Sequence, residues 1–188
     1  MITIVPYHED WPDDSRAIAA RLRAELGDLA LRIDHIGSTS VPGLAAKDKI
    51  DIQVTVAKLS AAVKQALNRA GYVRNLEVNS DHIPPGDSNP ADWRKWYFRQ
   101  GEGMRATHIH VRLDGLPNQR YPLLFRDYLR AHPSSAEAYA RVKQQLARYH
   151  ADDIEAFCDI KDPVCDLILF AAEEWAKEIV WQPGPSDG

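Results

Sequence analysis

The sequence predicts an α+β domain, a mixed β-sheet flanked by helices with a helical C-terminal segment. Three observations lead there. Residues 50–56, Ile-Asp-Ile-Gln-Val-Thr-Val, alternate apolar and polar side chains with the period of a strand. Two further strand-like runs, 93–99 and 107–113, are joined around Gly101-Glu102-Gly103, which suggests antiparallel pairing. Beyond residue 120 the apolar residues recur at helical spacing in three successive stripes, so helices are segregated toward one end of the chain.

Taken in order, residues 1–10 read as a short extended segment. Asp13 and Asp14 offer caps to a first helix carrying Ile18, Leu22 and Leu26, and Gly27 ends it. Leu29 to Ile36 reads as a strand running into Gly37-Ser38-Thr39-Ser40, with a tight turn at Pro42-Gly43. After the strand 50–56, Leu59, Val63, Ala66, Leu67 and Ala70 form a helical stripe closed by Gly71. Tyr72 to Val78 fits a strand. Residues 79–90 carry three prolines and read as a long loop, a class that is often functional.

Tyr121, Leu124, Phe125, Tyr128 and Leu129 mark the next helix, stopped by His132-Pro133. Ser134 or Ser135 caps another, bearing Tyr139, Val142, Leu146 and Tyr149. Asp162, followed by Pro163, predicts the start of a last helix that turns Val164, Leu167, Ile168, Ala171 and Trp175 to the core. Residues 1–180 are expected to form one domain, with 181–188 a flexible tail.

The 188 residues carry 23 Lys+Arg and 27 Asp+Glu, a net charge of −4, with 45% hydrophobic residues. That balance argues against general nucleic-acid binding, which needs a concentrated basic face. No run approaches the ~20 apolar residues that span a bilayer, and the N-terminus has no leader pattern. Cys158 and Cys165 form no CxxC pair. They read as free thiols of a reducing cytoplasm, so a cytoplasmic location without a membrane partner is expected.

The segment His35 to Gln53 concentrates the chemistry. A glycine followed by serine at the end of a strand lets backbone amides approach an anion. Asp51, on the polar face of the next strand with Gln53 and Thr55, is a candidate ligand for a divalent cation bound to phosphates. A Gly-Ser turn and a strand aspartate are also common as plain structural features. His108 and His110 share a strand face with Arg112 and suit either transition-metal ligation, acid–base work or a hydrogen-bonded polar face. His35 and His82 are further candidates to join them. Lys47, Arg99, Arg126, Lys143 and Lys161 are suited to phosphate. Asp48 reads as an exposed loop charge, and Trp93, Trp96, Trp175 and Trp181 as packing residues. No Ser-His-Asp set, Rossmann fingerprint or P-loop occurs.

The string His-Ile-Gly-Ser-Thr, then Val-Pro-Gly-Leu, then Ile-Asp-Ile resembles the signature of the GrpB family. His108-Ile-His-Val111, Phe125-Arg-Asp-Tyr-Leu-Arg130 with His132-Pro133, and Tyr139, Lys143, Leu146 and Lys161 continue the resemblance over roughly residues 3–178. The family is similar in fold to the nucleotidyltransferase superfamily, and in some bacteria its domain is fused to dephospho-CoA kinase. The resemblance therefore implies a nucleotidyltransferase-like sheet. It assigns Gly37 and Ser38 to a nucleotide or other phosphorylated small molecule, and Thr39, Lys47, Arg126 and Lys143 are expected to join them in binding it. It assigns Asp51 to Mg²⁺ or Mn²⁺.

Two departures stand out. The superfamily places a second carboxylate two residues after the first, where this chain has Gln53. The GrpB pattern has proline before its Ile-Asp, where this chain has Asp48-Lys49. No Asp or Glu stands on strand 107–113, so His108 or His110 is expected to take the place of a third carboxylate. Three readings follow. One is a metal-dependent transferase of nucleotidyltransferase type. The others are an accessory binding module with a degenerate site, and an enzyme with a transition metal at Asp51, His108 and His110.

Overall fold

The computed structural model describes all 188 residues. Its elements run α1 (Trp11–Leu26), β1 (Arg32–Ile36), β2 (Ile50–Val56), α2 (Ala61–Arg69), β3 (Tyr72–Asn75), β4 (Trp96–Gln100), β5 (Thr107–Leu113), α3 (Pro117–Ala131), α4 (Pro133–Tyr149) and α5 (Ile154–Glu178). The five strands form one sheet in the order β1-β2-β5-β4-β3. The β2–β5 pair is parallel and the other three pairs are antiparallel, so the sheet is mixed as expected. β2 lies inside it, flanked by β1 and β5.

The alternation of β2 divides the molecule. Ile50, Ile52, Val54 and Val56 enter a single cluster of 20 buried residues with Ile109 and Val111 of β5 and Phe98 of β4. Trp11, Ile18, Leu22 and Leu26 of α1 and Val63, Ala66 and Leu67 of α2 close it from above. Ser60 caps α2, its side chain accepting from the Val63 amide. Helices α3, α4 and α5 cover the opposite face, with two smaller clusters of 6 and 4 buried residues among them. No helix is long and apolar enough to cross a membrane.

Several boundaries differ from the sequence expectation. α1 begins at Trp11, where Pro12 supplies a first-turn φ and Asp13 and Asp14 sit inside the first turn. A 3-10 turn over Gly27–Leu29 delays β1 to Arg32. β3 stops at Asn75, and Trp93 belongs to a 3-10 turn ahead of β4. The largest change is in α5. Asp153, not Asp162, caps it by accepting from the Ala156 amide at 2.9 Å, and the helix runs through Pro163. The turns before Pro163 bury Phe157, and that burial offsets the lost backbone bond. The buried face also differs from the expected stripe. Leu167 is 69% exposed, and Ala171 is exposed too. Phe157, Cys165, Leu169, Ala172 and Ala176 point inward.

Residues 184–188 lie along the outer side of β1. The Ser186 hydroxyl accepts from the Ile33 amide and donates to its carbonyl, both at 2.9 Å. The Asp187 carboxylate accepts from the His35 amide at 2.8 Å.

Candidate functional site

Side chains paired across a sheet share a face. The register sets Asp51 opposite His108, Gln53 opposite His110 and Thr55 opposite Arg112. Beyond β5, Tyr97 faces His110 and Arg99 faces His108. The polar residues of three strands thus line the face that carries α3 to α5. His35 pairs with Ile52 and so belongs to the other face. There it is buried, its Nε2 is 2.9 Å from the Thr39 hydroxyl, and burial lowers its pKa to about 4.

Asp51, His108 and His110 bring their ligand atoms within 4.8 Å of one another. Both imidazoles address the same oxygen. His108 Nδ1 lies 3.1 Å and His110 Nε2 3.5 Å from Asp51 Oδ1. The other oxygen, Oδ2, faces the turn at Gly37. A Cβ placed on Gly37 would sit 2.7 Å from Oδ2, and the residue has φ +71°. Glycine is therefore required there twice, by conformation and by contact. Ser40 braces the turn through its hydroxyl, which donates to the Gly37 carbonyl at 2.6 Å, and Arg130 donates to the Ser40 carbonyl.

The outer partners of the histidines fix their protons. Lys49 Nζ stands 3.3 Å from His108 Nε2. Lys95 Nζ and Arg112 Nη2 stand 3.4 and 3.5 Å from His110 Nδ1. Charged Lys and Arg only donate, so these nitrogens accept and the opposite ring nitrogens carry the N–H. Both imidazoles then donate to Asp51. Burial alone would raise the Asp51 carboxyl, but these hydrogen bonds outweigh it and hold it well below the usual carboxylate range. Burial, reinforced by Lys95 and Arg112, lowers His110 to about 4, so it is neutral at pH 7.

Gln53 is fully buried and fully used. Its Oε1 accepts from Arg112 Nη1 at 2.8 Å and its Nε2 donates to the Gln119 carbonyl at 2.9 Å. Arg112 also grips Asp81 with two bonds of 2.8 and 2.7 Å, and Lys95 binds the same carboxylate at 2.6 Å. Asp81, from the long loop, was not among the site residues the sequence suggested. The signal was Arg112 on the same strand face as the histidines, because a buried guanidinium needs a carboxylate partner. A second carboxylate on the polar face, Asp34 of β1, is buried and held by Arg32 at 2.8 and 3.1 Å.

On the helix side, Lys143 of α4 reaches the turn. Its Nζ donates to Ser38 Oγ at 2.7 Å and to the Ala45 carbonyl at 2.6 Å. Burial lowers Lys143 to about 7, with Lys161 and Lys47 pushing the same way and Cys165 and Asp51 opposing. Lys47 stands over the Phe157 ring, 4.2 Å from its centroid, and Lys161 pairs with Asp162. Arg99 is exposed at the rim. The structure does not bring every suggested residue here. Arg126 is buried and donates to the His35 carbonyl at 3.0 Å and to Asp127 at 2.8 Å, on the β1 side. The Thr39 hydroxyl is spent on His35. His82 pairs instead with Asp166 of α5 at 2.9 Å. Asp48 binds Trp11 Nε1 at 2.8 Å and the Arg105 guanidinium, away from the Asp51 group.

The family model for the GrpB protein matches residues 1–170. The chain belongs to the GrpB family. A crystal structure of the conserved protein GrpB from Enterococcus faecalis superposes with a TM-score of 0.75 at 31% identity, covering 92% of this chain and 99% of that one. The UPF0157 protein BH1888 of Halalkalibacterium halodurans is 33% identical, over 89% of this chain and 80% of its own length. A dephospho-CoA kinase of Mycolicibacterium paratuberculosis is 36% identical over 97% of this chain, which spans 48% of that relative. This GrpB chain thus covers about half the length of such kinase relatives. The structure of the GLD-2/RNP-8 complex matches at a TM-score of 0.51 and 9% identity, over 81% of this chain and 49% of that one, which is a likeness of fold alone. The fold is nucleotidyltransferase-like.

Proposed function

We propose that this chain binds a nucleotide, or another phosphorylated small molecule, with one divalent cation, and that it acts as a nucleotidyltransferase-like transferase. The observation that supports the reading most directly is Asp51 Oδ2, which accepts no hydrogen bond from the chain and lies against the Gly37-Ser38 turn while two imidazoles hold Oδ1. An ionised carboxylate oxygen beside a Gly-Ser turn fits Mg²⁺ or Mn²⁺, hard cations that fill their remaining positions with phosphate oxygens and water. Such a cation, when bound, neutralises charge on the phosphates. Lys143, with Lys47 and Lys161, supplies positive charge from the helix side, and Ser38 a hydroxyl at the turn.

His108 and His110 act in this reading through Asp51. A transition metal held by all three residues would need both ring N–H groups turned away, toward Lys49, Lys95 and Arg112, where donors already stand. A second reading, a binding module without catalysis, is favoured by Gln53. Both ends of its amide are engaged, so no oxygen at that position is free for a second cation.

Calorimetric titration of nucleoside triphosphates, with Mg²⁺ or Mn²⁺ and without, tests the proposal. Binding should require the cation and fall at least tenfold in Asp51→Asn. Equal cation-dependent affinity in the folded variant would sink the role of Asp51. Cation-dependent binding without any release of pyrophosphate would favour the binding module.

A further inference from the structure

A separate cavity holds none of the residues just described. It is a cleft of about 710 Å³ between the loop at residues 84–87, the start of α3 and the end of α5. Its volume lies within the range of small-molecule sites. Its walls are aromatic. Trp93 is buried and meets Tyr121 edge-on, with ring centroids 6.2 Å apart. Phe170 and Trp181 line it from the end of the chain.

Arg120, the one cation that lines the cleft, is already paired. Arg120 pairs with Glu173 and lies 5.2 Å from the Trp181 ring centroid. Asp87 accepts from Trp93 Nε1 at 2.9 Å. No free cation is left to attract a phosphate. One polar atom at the cleft remains open. Gln119 is 7% exposed and lines the cleft. Its backbone carbonyl binds Gln53 and its Nε2 leans on Thr55 at 3.4 Å, while its side-chain oxygen accepts no hydrogen bond from the chain. That amide oxygen is free to accept from a ligand in the cleft.

We infer that this cleft is a second ligand site, built for a neutral planar heterocycle of nucleoside size that offers an N–H edge to Gln119. Aromatic walls bind flat rings through their faces, a glutamine amide reads the hydrogen-bonding edge of such a ring, and the pairing of Arg120 with Glu173 leaves no cation for an anionic ligand. Asp51 does not line this cleft, so the inference stands whether or not a metal–phosphate ligand binds there.

Ligand-observed NMR with adenosine, guanosine, cytidine and uridine, at millimolar concentration and without metal, tests it. At least one nucleoside should bind wild type and Asp51→Asn alike, and bind at least tenfold more weakly to Phe170→Asp and Gln119→Leu. Phe170 is 43% exposed, so its replacement leaves the fold intact even if the change at Gln119 does not. Nucleoside triphosphates with Mn²⁺ serve as the second arm, since their binding at Asp51 should be indifferent to Phe170→Asp. The inference is overturned if no nucleoside binds, or if nucleoside binding is lost in Asp51→Asn and kept in Phe170→Asp.

Discussion

The two faces of the sheet solve opposite problems. Above it, α1 and α2 complete one cluster of 20 buried hydrophobic residues. Below it, Gln53, Thr55 and Arg112 are as buried as any leucine, yet each is hydrogen-bonded. The upper face is stabilised by area removed from water and tolerates imprecision. The lower face is held by directional bonds between residues far apart in sequence, where losing one partner strands another. The lesson is that burial alone says little about what a strand face is for.

The sharpest way to break the contrast is Asp81→Ala. It leaves Arg112 and Lys95 buried without their carboxylate, and should cost about 3–5 kcal/mol. On the upper face Ile109→Ala should cost about 2–5 kcal/mol from the cavity it opens. Urea unfolding distinguishes them. The Asp81 loss should depend on pH and salt, because burial would raise that carboxyl and Arg112 holds it well below the usual range, and the Ile109 loss should not. Equal pH dependence in the two variants would erase the proposed difference.

Next in size is Gly37→Ala. A left-handed φ costs a residue with a Cβ about 1–2 kcal/mol, and the new methyl collides with Asp51 Oδ2. Thermal unfolding should show the modest loss, and cation-dependent nucleotide binding should disappear altogether. Wild-type affinity in a folded Gly37→Ala protein would refute the closeness of turn and carboxylate.

Much of this architecture was legible beforehand. The alternation of 50–56 identified an interior strand, and the run from Gly37 to Asp51 identified the turn and the carboxylate it covers. Period and spacing are local properties, and the sequence displays them. What it hid were pairings across long separations. Asp81 reaches Arg112 across 31 residues, and Arg126 turns to His35 across 91. Phosphate-suited side chains look alike in sequence, whether they reach the Gly37-Ser38 turn, as Lys143 does, or brace an edge, as Arg126 does. The start of α5 was misplaced because Asp162-Pro163 satisfies the local rules for a helix start. The burial of Phe157 carries the helix nine residues further back, to Ile154.

Lys143 sharpens the comparison by linking cost to function. Its folded pKa of about 7 lies below the usual lysine value, so folding favours the neutral amine. Between the two values an unfolded chain holds a proton the folded one lacks, and stability falls as pH drops from about 10.5 toward 7. Lys143→Met should therefore leave the melting temperature at pH 7 unchanged or higher, while weakening triphosphate binding. In wild type that binding should take up a proton near pH 8, visible as a buffer-dependent calorimetric heat. A large loss of stability in Lys143→Met would show that the lysine is structural.

The smallest effect belongs to the upper face. Ser60→Ala removes a long cap of 3.4 Å from α2 and should cost about 0.5 kcal/mol, with no change in any binding. A binding defect in that variant would mean that the two faces communicate.

Residues 184–188 have a consequence of another kind. A terminal strand offers a row of unpaired amides and carbonyls, an invitation for a foreign strand to add itself. Here Ser186 and Asp187 answer the outward groups of Ile33 and His35, so the β1 margin is closed from within. The opposite margin, β3, is four residues long and carries Arg74 beside the exposed Val73. Brevity and charge guard it in place of a cover. A sheet sealed on one side and shortened on the other resists growing into fibres.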